Sequence, residues 1–562
     1  VSEVADAVVI GSGPNGLVAA NLLADAGWDV LVLEADEEPG GGVRSHQLMH
    51  PDFVSDHCSA FYPLAAASPV IRGLGLEDYG LRWLHAPTVL AHPLPDGRCA
   101  VLDRDPFKTA TGLETFGAGD GDAWLRLWRL WEQLGDRLLD AVFTPFPPVR
   151  PGIALAVRLR LGGLLRFARF SLAPVRALSE HEFSGDGGPL LLTGSALHTD
   201  LSPESAGSSA YGWLLAMLGH QVGFPVPEGG AGKITGAMMA RLSSRGGRVV
   251  CGTPASSIIV RGGRAVGVRT AAGEEVRARR AVIADIDAPQ LYTSLLSEDD
   301  LPSSYPQDLA RFQWDYATLK IDWAVRDGIP WTAAEAGRAG TIHLSGSLDE
   351  MTEYTSQIAR RLVPTHPFIL LGQLTTADPS RSPQGTQSVW AYTHLPREIR
   401  GDPLGQVSGR YDDADREALA DRIEGEIERY APGFRERIMS RRVMLPPALQ
   451  EDDRAMPLGA LNGGTCALHQ QFVFRPTPGL GRSETPIAGL YLGSASAHPG
   501  GGVHGVCGAN AARAALRDGH AVGRYIGAAV VALTRQSGAS ARVALHDGPK
   551  VLEHPAIAKD DQ

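Results

Sequence analysis

Six residues near the amino end, GSGPNG at positions 11–16, constrain this chain more than any other stretch. They follow a short apolar run, ADAVVI over 5–10, and lead into a small-residue apolar segment over 17–26 that reads as a buried helix. A second apolar strand over 29–33 ends at Glu34. The order is strand, GxGxxG, helix, strand, acid. In that order Gly11 permits a tight turn, Gly13 lets the backbone approach a pyrophosphate, and Gly16 lets the helix lie close on the strand. Pro14 and Asn15 open the helix, whose unpaired N–H groups and positive dipole end suit an anion. Glu34, with Ala35 beside it, is placed to accept hydrogen bonds from a ribose diol. These residues read as a Rossmann-like dinucleotide site in an α/β fold.

Length and charge narrow the rest. A chain of 562 residues exceeds what one hydrophobic core serves, so several domains, some interleaved, are expected. The net charge of −11, from 52 basic and 63 acidic side chains, repels phosphate backbones, and no basic block offsets it. Nucleic acid is therefore not an expected partner. The five cysteines, Cys58, Cys99, Cys251, Cys466 and Cys507, are scattered, with no CxxC pair and no His/Cys metal spacing, so no metal is expected. No charged segment followed by an apolar run opens the sequence, and no uncharged run is long enough to span a bilayer. A cytoplasmic protein is expected, with or without contact to a membrane surface.

Beyond the acid stands EEPGGGVRS, 37–45, a second glycine cluster with an arginine that a plain nicotinamide site does not need. Here the sequence resembles the FAD-dependent phytoene desaturase and amine oxidase superfamily, and a phytoene-dehydrogenase-related subgroup above all, through PGGGVRSHQLMHPDFVSDHCSAFYPLA (39–65) and GTIHLSGSLDE (340–350). The resemblance covers most of residues 4–520. It implies FAD, with Gly41, Gly42, Val43 and Arg44 on the pyrophosphate and flavin side. It also identifies two later segments. In 228–284, a helix and alternating strands joined by GG turns resemble the family's middle FAD segment, with the backbone of Ala255 over the adenine. In AGLYLGSASAHPGGGVHGVCGANAARAAL (488–516), His498, Pro499 and Gly500 match a His-Pro-Gly turn. There the resemblance implies contacts from Ala495, Gly505 and Val506, the last two at a helix start aimed at the flavin N1/O2 region. Ser494 and Ser496 stand where the family would have glycine.

Flavin segments at both ends and in the middle predict a discontinuous cofactor domain, 1–85, 228–300 and 456–530. The stretches 86–227 and 301–455 would fold together as an inserted sheet-plus-helix substrate domain, and 531–562 as a loose tail. Runs at 317–325, 340–344 and 367–374 read as strands roofing the flavin, and 415–430 as an amphipathic helix. Trp124, Trp128 and Trp131, at helical spacing, read as core and only secondarily as a tunnel wall. From 150 to 179 there are six arginines, Arg150, Arg158, Arg160, Arg166, Arg169 and Arg176, with no Asp, Glu or Lys. This segment either lies on a membrane interface, admitting a lipid-soluble substrate, or packs as helices on the domain or between copies in a homo-oligomer. Gly162, Gly163 and Pro174 are expected to interrupt any long helix in it.

Flavin accepts hydride at N5, so the protein needs few reactive side chains. His498 is the leading candidate for handling a proton, against the alternative that it only braces the glycine turn; His504 is second. Asp56, His57 and Tyr62 are expected to face the same cavity from the opposite loop, with Cys58 as packing. The expected function is FAD-dependent dehydrogenation of an apolar small molecule. An amine oxidase and a flavin-stabilised interaction protein without turnover remain the alternatives.

Overall fold

A computed structural model describes residues 3–479 and 481–518. The expected tail, 531–562, and positions 519–530 lie outside the described residues.

Two seven-stranded sheets organise the chain. In the first, Val4–Ile10 lies between Glu275–Ala284 and Val30–Leu33, all parallel, with Arg248–Val250 beyond Val30–Leu33. Glu275–Ala284 serves two neighbours along its other edge. Its first half pairs antiparallel with Arg264–Thr270, and its last three residues pair parallel with Leu490–Leu492. The hairpin of Ala255–Arg261 and Arg264–Thr270 turns at Gly262 and Gly263, both at positive φ, as a two-residue type I′ loop requires. Register brings Ile10, Leu33, Ala284 and Leu492 to one row, so these parallel strands end together. Ligands of open parallel sheets bind just outside that edge.

The helix Pro14–Asp25 rises from this row with Pro14 at its first position, where a missing N–H costs nothing. Against it lies Val506–Asp518, backbone to backbone: a Cβ on Gly508 would come within 1.8 Å of the Asn15 carbonyl oxygen.

In the second sheet the order is Ile438–Met444, Ala317–Arg326, Thr386–Leu395, Ile369–Gln373, Ala339–Leu344, Thr88–Pro93, Cys99–Leu102. Neighbours are antiparallel except Thr88–Pro93 and Ala339–Leu344, which join the two halves in parallel. Leu419, Ile423 and Ile427 of the helix Asp413–Glu428 pack with one apolar layer of this sheet. Thr341, Leu370, Trp390 and Tyr392 line a cavity.

One hydrophobic cluster runs from Leu17 and Val32 beside the first sheet, through Trp124, Trp131 and Trp213 of the intervening helices, to Leu90 and Leu102 of the second sheet. Trp124 and Trp131 bury their rings and donate their indole N–H groups to His220 and Gln221 at 2.8 and 2.9 Å. They are core, and none of the three tryptophans lines the cavity. The arginine-rich segment corrects an expectation. One 24-residue span, Val149–Leu172, crosses Gly162 and Gly163, and its break falls instead at Arg160, with φ 54° and ψ 171°. Pro174 does separate it from Val175–Glu182.

Candidate active site

The row of strand ends opens onto a cavity of 490 Å³ that reaches to the second sheet. Its first end is built from backbone. Gly11, Gly13, Pro14 and Asn15 line it, and Gly11 has φ +92° with the Asp285 carbonyl oxygen 2.6 Å from where a Cβ would stand. Gly16 is hidden behind, where a Cβ would lie 2.2 Å from the Gly11 oxygen, so its part is close packing. Glu34 and Ala35 line the same end. The Glu34 carboxylate accepts the Ser12 N–H at 2.8 Å, the Ser12 hydroxyl at 2.5 Å and the Asp36 N–H at 3.0 Å, which fixes it at the crevice. Ala255 follows on the far side, brought there by a hydrogen bond from Thr253 N–H to the Glu34 carbonyl at 2.7 Å. Gly41, Gly42, Val43 and Ala495 complete the predicted set on the wall. Ser494 and Ser496 also line it, and the Ser496 hydroxyl donates to the Gly463 carbonyl at 2.9 Å.

Other predicted residues stand elsewhere. Arg44 does not line the cavity; it pairs with Asp36 at 3.3 Å and donates to the Asp452 carbonyl at 2.8 Å, holding the glycine loop from outside. Gly505 and Val506 are also outside, because Gly505 fits against Val18 and the Val506 N–H is capped by His504 Nδ1 at 3.0 Å. Gly501, Gly502 and Val503 take the wall position instead. His498 is buried between Phe146 and Phe472, with Nε2 3.2 Å from the Thr144 carbonyl. His504 is buried against Phe143. Burial pushes both imidazoles down to about 4, so each is neutral at pH 7; His498 meets the Thr144 carbonyl, His504 caps the Val506 N–H, and neither lines the cavity. Asp56 is turned into a buried ion pair with Arg381 at 3.0 Å and accepts the Ala231 N–H at 2.8 Å. His57 is off the wall as well. Tyr62 is on the wall, but its hydroxyl donates to the Ser59 carbonyl at 2.6 Å and burial raises its pKa well above the phenol range, so it is no base. Cys58 lines the wall with its thiol pushed up to about 12, as packing requires.

Sequence reasoning missed two acids. Asp285 follows Ala284 at the row of strand ends, where its Oδ2 accepts the Gly16 N–H at 2.6 Å and would stand 2.8 Å from a Cβ on Gly13. Asp453 stands across from it, 3.3 Å from where a Gly41 Cβ would be. Removal from bulk water, which penalises the charged form, pushes Asp285 up to about 7 and Asp453 up to about 6. The strand-end rule was the signal for Asp285; the GG pair at 463–464 was the signal for the neighbouring loop, whose Asn462 and Gly463 also line the wall.

The second end is built from side chains. Phe61, Tyr62, Tyr211, Leu214, Leu215 and Phe224 meet Leu370, Trp390 and Tyr392 there, with His198 and Cys466 among them. No group of three or more metal-ligating side chains occurs among the described residues.

The donor set fits FAD. Glycines admit a pyrophosphate, the helix end supplies N–H groups, the fixed carboxylate of Glu34 suits a ribose, and Asn15 Oδ1 is a buried acceptor on this wall without a protein partner.

Comparison with known proteins agrees. The model of the flavin containing amine oxidoreductases matches residues 15–321. The mouse pyridine nucleotide-disulfide oxidoreductase domain-containing protein 2 is 29% identical over 91% of this chain and 93% of its own. A neurosporene-forming phytoene desaturase of Cereibacter sphaeroides is 25% identical over 90% and 93%. In fold the chain is similar to a putrescine oxidase solved with putrescine, with a TM-score of 0.57 and 17% identity over 92% and 99%.

Proposed function

The chain belongs to the family of flavin containing amine oxidoreductases, and from that premise we propose that this FAD-dependent oxidoreductase dehydrogenates an apolar carbon skeleton. When bound, FAD supplies the hydride acceptor. The chain supplies the rest. The glycine loops and Glu34 hold the cofactor's polar half, and the aromatic and aliphatic walls of the second end orient a substrate and keep water from it. The observation that carries the reading is the continuity of the cavity from the glycine loop to that apolar end. His198, the histidine at that end, is pushed down to about 3 by burial, which suits a C–H substrate that needs no strong base at neutral pH.

An amine substrate fits less well. Trp390 and Tyr392 stack on one another, centroids 5.5 Å apart and planes 20° apart, so the pair encloses no cation. Anaerobic mixing of the FAD-loaded protein with isoprenoid hydrocarbons and with primary amines tests the assignment. Bleaching of the yellow flavin by the former supports it, and bleaching by amines alone overturns it.

The surface helix has a part in the same reading. Val149, Ile153 and Val157 recur every four residues on Val149–Leu172 and are exposed, as are Leu165 and Leu172. Arg150, Arg158, Arg160, Arg166 and Arg169 are exposed beside them and in no ion pair among the described residues, whereas Arg176 is paired with Glu204 and Asp349. No helix among the described residues is long and apolar enough to cross a membrane. We propose that this helix lies on an anionic membrane surface from which an apolar substrate enters.

A further inference from the structure

Two histidines buried on the second sheet, His92 and His394, share one hydrogen-bonding habit. His92 Nε2 lies 2.8 Å from the Ser345 carbonyl, so Nε2 carries the proton, and Nδ1 is buried without a partner. His394 bonds through Nδ1, to Thr318 Oγ1 at 3.4 Å and to the backbone of Ala317, and leaves Nε2 unpaired. In both the orphan is a lone pair rather than an N–H, because the ring's N–H goes to a backbone carbonyl.

His343 extends the series. It is fully buried on Ala339–Leu344, and its Nδ1 is pressed against the helix Gly187–Ala196 at Gly194, where a Cβ would come within 2.2 Å. Nδ1 has no partner; Nε2 meets His198 Nε2 at 3.0 Å. By the same habit His343 keeps its proton on Nε2 and donates it. His198 Nε2 is then the acceptor, which leaves the proton of His198 on Nδ1. His198 lines the cavity, and its Nδ1 makes no hydrogen bond in the protein yet is not among the sealed, unpaired atoms. It presents an N–H to the cavity.

The surroundings set what that N–H can meet. Thr341, Gly372 and Trp390 form one row across the sheet, and His343, Leu370 and Tyr392 form the next row on the same face. Ser195 and Thr199, on either side of His198 in the chain, line the wall with Thr341. The carboxylates that line the cavity, Glu34, Asp36, Asp285, Asp287 and Asp453, all stand toward the glycine loops. An ammonium would find hydroxyls here but no carboxylate on the wall, since Asp200 lies behind Cys466 and accepts its N–H at 2.7 Å, whereas an oxygen would find donors.

We propose that this end of the cavity is an oxygen-acceptor subsite, in which His198 Nδ1–H, oriented by His343, donates to the substrate, so that the substrate is an apolar molecule bearing a carbonyl, carboxyl or hydroxyl oxygen. The inference deepens the reading of the preceding subsection and rests on it. His343 is a positioning residue: it sets the tautomer of His198 without touching the cavity.

Calorimetric titration of the FAD-loaded protein with octane, octan-2-one, octanoate and octylamine tests the subsite without requiring turnover, so its failure is separate from a failure of flavin bleaching. Octan-2-one and octanoate are expected to bind about tenfold tighter than octane, the size of one buried hydrogen bond. His198→Phe should erase that preference while leaving octane binding in place, and His343→Leu should weaken it. Nitrogen-15 NMR of labelled histidine reads the tautomer directly: His198 protonated on Nδ1 in the wild type, with that proton lost to a mixture in His343→Leu. Equal binding of octane and octan-2-one, tighter binding of octylamine, a preference surviving in folded His198→Phe, or a wild-type His198 protonated on Nε2 would each overturn the proposal.

Discussion

The two ends of the cavity are made of different material. At the cofactor end the wall is largely main chain: glycines at 11, 13, 41 and 42, strand ends, and carboxylates held by backbone N–H groups. At the substrate end it is side chain, drawn from 61–64, 195–224, 341–392 and 455–466. A backbone wall recognises what all users of one cofactor share; a side-chain wall can be changed residue by residue without disturbing the strands beneath. The difference is open to experiment.

Gly13→Val should have the largest effect. Gly13 has φ −60°, so a side chain costs no backbone strain, but its Cβ would lie 2.8 Å from Asp285 Oδ2 and fill the approach to the pyrophosphate. FAD affinity is expected to fall by about a hundredfold or more with the circular dichroism unchanged, since a lost charged contact and a steric block together exceed about 3 kcal/mol. Retained yellow colour would place the pyrophosphate elsewhere.

Trp390→Ala is the converse test at the other end. It should leave FAD affinity unchanged while weakening octane binding about tenfold and lowering the melting temperature, because a buried Trp truncation costs about 3–5 kcal/mol. Loss of flavin would erase the division between the two ends.

A smaller effect is expected from pH. With Asp285 raised to about 7 and Asp453 to about 6, both are largely neutral at pH 5.5 and ionised at pH 8. Neutral acids do not repel a pyrophosphate; ionised ones do, by about 1–2 kcal/mol at an effective dielectric near 20. FAD affinity should therefore fall about tenfold from pH 5.5 to 8. Asp285→Asn keeps an acceptor for the Gly16 N–H and should flatten most of that slope; an equally steep slope in the variant would acquit the residue. The same sign holds for folding: a carboxyl whose pKa is raised in the native state makes the fold bind more protons than the unfolded chain, so its contribution to stability declines as pH climbs from the unfolded value near 4 toward 7.

The smallest expected change lies outside the cavity. Arg158→Glu should reduce co-sedimentation with phosphatidylserine vesicles severalfold, at about 1 kcal/mol per basic residue at the surface. Flavin content should stay constant. Unchanged sedimentation would leave the helix as an interface of another kind.

The cofactor end was legible in the sequence because its geometry is local. The GSGPNG turn, Glu34 and the GGV segment at 41–43 lie where their order in the chain implied. The arginine of that same segment was misplaced, since Arg44 reaches outward to Asp36 and the Asp452 carbonyl. His498 and His504 were misplaced for a related reason: a histidine beside glycines looks reactive in one dimension, yet Phe143, Phe146 and Phe472 bury both rings. Asp285 could have been found from its place just past a strand end, whereas nothing in the sequence around Asp453 marks it as a neighbour of Gly41.

The amino-acid sequence by itself determined the Rossmann-like turn and the acid that ends its second strand, because each depends on backbone geometry within a few tens of residues, and its family resemblance pointed to FAD. Only the tertiary structure decided that Thr88–Pro93 joins Ala339–Leu344, that His198 meets His343, and which side chains face the second end of the cavity. Those contacts are set by packing between segments far apart in the chain, and packing has no signature in either partner alone.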